Sequence, residues 1–200
     1  MQSHPTLKSF EQVIKEFTWQ QLKEIADDQG QLYSLVKSVD IIGRFNLLNH
    51  IGIINFANSL VRDDMHSKRK PIDEFLILLR EEDRNNLIKM ISTIIKGHNS
   101  FNFVKNQLTK DQQLIFINEI KTETYQKMIQ GVLFADKTKI LKEMIDTTHA
   151  DNQCALITRI GINFVKTTLT PANDAYVQQI MDRPLPLPTP TTPTHRIASF

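Results

Sequence analysis

IDEFLILLREEDRNNLIKMI, residues 72–91, holds two apolar stripes joined by a charged elbow. Ile72, Phe75, Leu76 and Leu79 recur at three- and four-residue intervals, which places them on one face of a helix. Glu81, Glu82 and Asp83 follow, and acids suit the first turn of a new helix because its free N–H groups carry partial positive charge. Leu87, Ile88, Ile91 and Ile95 continue the second stripe. Looser copies of this helix–elbow–helix pattern read FVKNQLTKDQQLIFINEI from Phe103 and MIQGVLFADKTKILKEMI from Met128. LVKSVDIIGRFNLL from Leu35 and VIKEFTWQQLKEI from Val13 keep the apolar frame alone. A two-helix hairpin cannot bury both apolar faces by itself, so successive hairpins must stack. The expected fold is all-α: short helical hairpins stacked into one compact or bent array.

Outward from that stretch, the flanks read the same way. Phe10, Val13, Ile14 and Phe17 share a helical face, and Thr18 is placed to cap the next helix. Asp27, Asp28 and Gly30 suit a helix end, and Asp40 suits an N-cap. Gly43 and Gly52 weaken the helix between Ile41 and Val61, although a glycine also admits a close neighbour. Thr109 with Asp111, and Asp136 with Lys137, mark the next two elbows, and Thr170 before Pro171 marks the last helix start.

Two stretches break the pattern. RDDMHSKRKP, residues 62–71, is almost entirely polar and reads as a loop and a possible sub-boundary within a helical domain spanning residues 1–182. From residue 183 onward, PLPLPTPTTPTHRIASF after Arg183 favours extended polyproline geometry and offers little apolar surface, so residues 183–200 are expected to form a flexible tail.

Composition narrows the function. A net charge of +2 supplies no global field of the kind a dedicated nucleic-acid binder carries. The only cysteine, Cys154, rules out an intramolecular disulfide framework and a Cys-rich zinc site within one chain, and suits a reducing compartment. MQSHPTLKSF lacks the basic-then-apolar pattern of a secretory signal, and Ile41–Val61 is interrupted by Arg44, Asn46, Asn49, His50, Asn55 and Asn58, too polar for a membrane span. The cytoplasm is therefore the expected compartment.

No reactive constellation stands out. The histidines at 4, 50, 66, 98, 149 and 195 are scattered without paired helical spacing, and no glycine-rich phosphate loop exists. No catalytic, metal or cofactor residue is assigned and no cofactor is expected. Trp19 and the phenylalanines fall mostly on apolar faces without an interleaved cationic track, which favours core packing over base stacking. Two segments are candidate contacts. Lys68, Arg69 and Lys70, beside His66, form a basic spot for an anionic partner such as a phosphoinositide surface. Arg183, Pro184, Leu185 and Pro186 open like a proline-rich ligand for an SH3 domain, although Pro188 and Pro190 straddle the position where the next proline of that register belongs.

The elbow in LILLREEDRNNLIKMI also resembles the helical units, often reading Leu-Leu-Pro-x-x-Asp-Arg followed by leucines, of secreted effector proteins of intracellular bacteria. Asp83 and Arg84 match, Arg80 or Glu81 stands where the proline belongs, and the likeness runs loosely from Phe10 to Ile145. The resemblance implies a non-enzymatic helical scaffold that is delivered into a host cell without a Sec-type signal peptide and acts on a host protein. The leading expectation is accordingly an α-helical protein-interaction module. Two alternatives stay open: an enzyme whose site is assembled from distant helices, and a peripheral membrane binder using the basic loop.

Overall fold

The computed structural model describes residues 7–61, 71–169 and 173–183. Among these residues it contains fourteen helices and no strand, as an all-α array of short helices requires. Apolar side chains from Val13 to Ile180 form one continuous core.

Two helices precede a repeating body. Helix α1 (Phe10–Glu16) and α2 (Trp19–Asp27) each begin with a capping box: Ser9 and Thr18 accept from the N–H of Gln12 and Gln21, whose side chains reach back to the cap N–H groups. Asp28 then ends α2 and starts α3 (Gln29–Ser38), accepting from the N–H groups of Gly30 and Gln31. Gly30 lies inside this first turn, so the joint rests on an aspartate cap and needs no left-handed glycine.

The body is a series of units of three helices. The first holds α3, α4 (Gly43–Ile51) and α5 (Ile53–Val61); the second α6 (Ile72–Ile77), α7 (Glu81–Ile94) and α8 (His98–Lys105). The third holds α9 (Lys110–Glu119), α10 (Thr122–Gln130) and α11 (Phe134–Asp146), and the fourth α12 (Ala150–Ile160), α13 (Ile162–Leu169) and α14 (Asp174–Met181). In the first two units the first two helices, α3–α4 and α6–α7, are hairpins expected from the sequence, and in every unit the third helix carries the chain onward. Helix α5 packs on α7, α7 on α9 and α9 on α12, so each unit covers the apolar face of its neighbour.

Hydrogen bonds reveal a register that side-chain pattern obscures. Arg44 Nε donates to the Val39 carbonyl at 2.9 Å, and Arg84 Nε donates to the Leu79 carbonyl at 2.7 Å, both sets separated by 40 residues. Gln113 Nε2 donates to the carbonyls of Lys105 and Leu108, and Gln153 Nε2 to those of Ile145 and Thr148, again 40 residues on. The copies beginning at Phe103 and Met128 bridge different elbows of the unit, α8–α9 and α10–α11, which is why their spacing looks irregular in sequence.

Local details follow from the residues. Ile41–Val61 is two helices because Gly52 takes a left-handed φ of 99° between α4 and α5. Gly43 allows the close approach its lack of a side chain permits: a Cβ there would lie 2.8 Å from Val39 Cγ1 and 3.1 Å from the Phe10 backbone nitrogen. Thr109 forms a capping box with Gln112. Asp136 and Lys137 do not mark the elbow itself, since α11 already begins at Phe134; the chain turns at Gly131–Leu133 and Asp136 sits in the first turn. The Thr170–Pro171 start lies outside the described residues, as does the segment 62–70.

Candidate binding cleft

The elbows come first, because they explain residues that look chemical and are architectural. At the end of each unit's first helix, carbonyls face inward and need donors. Arg44 and Arg84 supply them in the first two units, and Arg44 Nη1 also reaches the Leu78 carbonyl at 2.7 Å, tying one elbow to the next. Neither α10 nor α13 contains an arginine. There the corresponding carbonyls of Ile120 and Ile160 receive Arg159 Nη2 at 2.9 Å and Gln126 Nε2 at 3.1 Å, each from the neighbouring unit. Asp83 of the Asp-Arg pair is 4% exposed and holds Arg80 in a two-bond ion pair, with Nε–Oδ2 at 2.7 Å and Nη2–Oδ1 at 3.2 Å. Apolar spacing shows only a frame in LVKSVDIIGRFNLL; Arg44 is the further match, detectable as an arginine five residues after the last apolar position of the preceding helix.

Lys105 is the one fully buried cation among the described residues. Its ammonium donates to the Met144 carbonyl at 3.1 Å, Asn102 Oδ1 at 3.3 Å and Thr147 Oγ1 at 2.5 Å, and lies 5.2 Å from the centre of the Phe101 ring. Burial lowers its pKa to about 8, against the opposing pull of Glu143. With three acceptors engaged and close packing around it, Lys105 clamps the end of α11 onto α8. The position forty residues later is Ile145, so the lysine replaces an apolar side chain in the stack.

Trp19, which helical spacing assigned to the core, is half exposed and meets His50 edge-on at 5.4 Å, while Phe10 meets the same imidazole at 5.7 Å. His50 therefore sits between two rings. Cys154 is half-buried with Met181 Sδ at 3.8 Å. Among the described residues no three His, Cys, Asp or Glu side chains converge as a metal site would require.

An open cleft of about 1180 Å³ lies where α2 and the start of α3 face α4 and α5. Its floor is apolar, from Ala26, Ile51, Phe56 and Val61. Its walls carry the carboxamides of Gln20, Gln29, Asn55 and Asn58 and the charges of Lys23, Glu24, Asp27 and Asp28. Gln29 Nε2 donates to the carbonyl and hydroxyl of Ser59 at 3.2 and 3.3 Å, which pins α3 to α5 and fixes the separation of the walls. Gln29 Oε1 is buried and accepts no hydrogen bond among the described residues. Asp28 is committed to capping α3, and the backbone N–H of Gln31 holds its carboxyl below the usual range. By contrast, among the described residues Lys23, Asp27, Asn55 and Asn58 direct no side-chain hydrogen bond or ion pair to the protein and stand exposed along the walls. A shallower, mostly apolar depression of about 500 Å³ adjoins it across Asp28, between Phe17, Ile25 and Leu35.

Of the contacts expected from sequence, Lys68, Arg69, Lys70, Pro184, Leu185 and Pro186 lie outside the described residues. Arg183 is described, and its guanidinium donates to Gln153 Oε1 at 2.9 Å. In the preceding unit the equivalent atom, Gln113 Oε1, accepts from the His149 N–H at the start of α12. No helix among the described residues is long and apolar enough to cross a membrane. The cleft itself was not anticipated from the sequence: its walls come from two segments about thirty residues apart, and each carries only ordinary surface amides and acids.

No family model, curated protein or solved structure matches this chain.

Proposed function

We propose that this protein is a helical interaction module that grips a polypeptide partner in the cleft between α2 and α5. The observation that carries the reading is the pairing of an apolar floor with polar walls whose Lys23, Asp27, Asn55 and Asn58 side chains the fold does not use. At about 1180 Å³ the cleft exceeds the roughly 300–1,000 Å³ typical of small-molecule pockets, and it is half-open to solvent, which suits a chain over a compact metabolite. A carboxamide offers one acceptor and two donors, the complement of a peptide group. The Gln29–Ser59 tie fixes the two walls relative to one another before binding, which lowers the ordering cost of association. In the form suggested by the effector-like Asp83-Arg84 elbow, the partner is a host protein.

Panning a random peptide library on the full chain tests this reading. Enriched peptides should bind the wild type and lose most of their affinity for Asn58→Trp, which fills the cleft from an exposed position. Peptides that bind both proteins equally would overturn it.

A further inference from the structure

We infer that the partner segment is an extended peptide carrying lysine or arginine, an inference that rests on the cleft being the binding site. Three carboxylates, Glu24, Asp27 and Asp28, line the cleft against one ammonium, Lys23. The local charge is therefore negative on a chain whose formal charge is +2, so the cleft runs opposite to the molecule as a whole. A half-open cleft focuses such a field and steers a cationic ligand toward it.

The walls also select backbone shape. Asn55 and Asn58 stand three residues apart on α5, so their amides project from neighbouring positions of one helical face. Gln20 and Glu24 face them from α2 and are joined by a hydrogen bond from Gln20 Nε2 to Glu24 Oε1 at 3.2 Å. A ligand helix satisfies its own backbone groups and would leave wall amides without partners, whereas an extended strand exposes a donor and an acceptor at each residue. Side chains alternate along an extended peptide, so apolar residues can meet Ala26 and Val61 while basic residues meet Glu24 and Asp27.

The experiment is fluorescence anisotropy on the full chain with three labelled ten-residue peptides: one alternating Lys or Arg with Val, one replacing the basic residues by Ser, and one replacing them by Glu. The basic peptide should bind at least tenfold more tightly than the other two and weaken with added salt. Glu24→Gln with Asp27→Asn should reduce that affinity at least tenfold, and Asn55→Ala with Asn58→Ala should reduce it several-fold while leaving the salt dependence in place. Basic-peptide binding unchanged by the charge-neutral double variant would overturn the inference, since the attraction would then come from elsewhere. Failure of all three peptides beside library clones that still depend on Asn58 would overturn the basic partner and leave the cleft reading standing. Failure of both would overturn the two together. Circular dichroism of each variant distinguishes lost binding from lost fold.

Discussion

Lys105 shows how much a single position can decide. An ammonium removed from water is costly, and the Met144 carbonyl, Asn102 and Thr147 compensate only in part, so its pKa falls to about 8 from an unfolded value near 10.5. The sign follows from proton counting: between those two values the unfolded chain holds the proton more firmly than the folded one, so stability rises with pH. Wild-type protein should accordingly gain in urea midpoint from pH 7.5 to 9.5. Lys105→Met, which fills the same space, should be at least as stable at pH 7.5 and show a flatter profile. Parallel profiles for the two proteins would contradict this account. Above pH 10 the trend reverses, because burial raises the pKa of Tyr125 and the unfolded chain releases that phenolic proton first. Arg84 is a second deciding residue. Arg84→Ala leaves the Leu79 carbonyl short of its donor and should lower stability by about 1–2 kcal/mol, measured by denaturant unfolding. Arg84→Lys should recover little, since an ammonium cannot reproduce the guanidinium fork that also approaches the Ile77 carbonyl.

Element boundaries depend on fewer residues than their length suggests. Gly161 joins α12 to α13 with φ of 105°, a conformation that other L-residues rarely adopt. Gly161→Ala should cost about 1–2 kcal/mol, whereas Gly97→Ala, at a φ of −135° with its nearest neighbour atom 4.0 Å away, should change the thermal midpoint little. Equal effects at the two glycines would undermine the assignment of Gly161 as a joint that requires glycine. Most of these elements were legible in sequence. The elbow at Glu81–Asp83, the caps at Thr18 and Thr109, and the apolar stripes of α7 and α9 follow from local spacing and hydrogen-bonding chemistry that neighbours in the chain supply. The three-helix period was not, because it is written in Arg44–Val39 and Gln113–Lys105 contacts, and degenerate apolar positions allow several registers. Trp19 was misplaced for a related reason: a helix face shows which residues align, while packing partners such as His50 decide which of them stays exposed.

The whole molecule is a stack with unlike ends. After α14, Arg183 ties the chain to Gln153, so Arg183→Ala should let α14 fray, read as faster amide exchange there with α7 and α9 unchanged. At the near end α1 and α2 cover the first unit but leave the acid- and amide-walled cleft beside α5. That cleft was invisible in sequence because Glu24, Asp27, Asn55 and Asn58 become neighbours only when α2 folds against α4 and α3 against α5. Interaction through this end, and not through the array as a whole, is the central claim. Backbone amide chemical-shift mapping during titration with the alternating basic peptide tests it most directly. Shifts confined to α2, the α2–α3 joint and α5 are the predicted result; shifts centred on α12–α14 would contradict it.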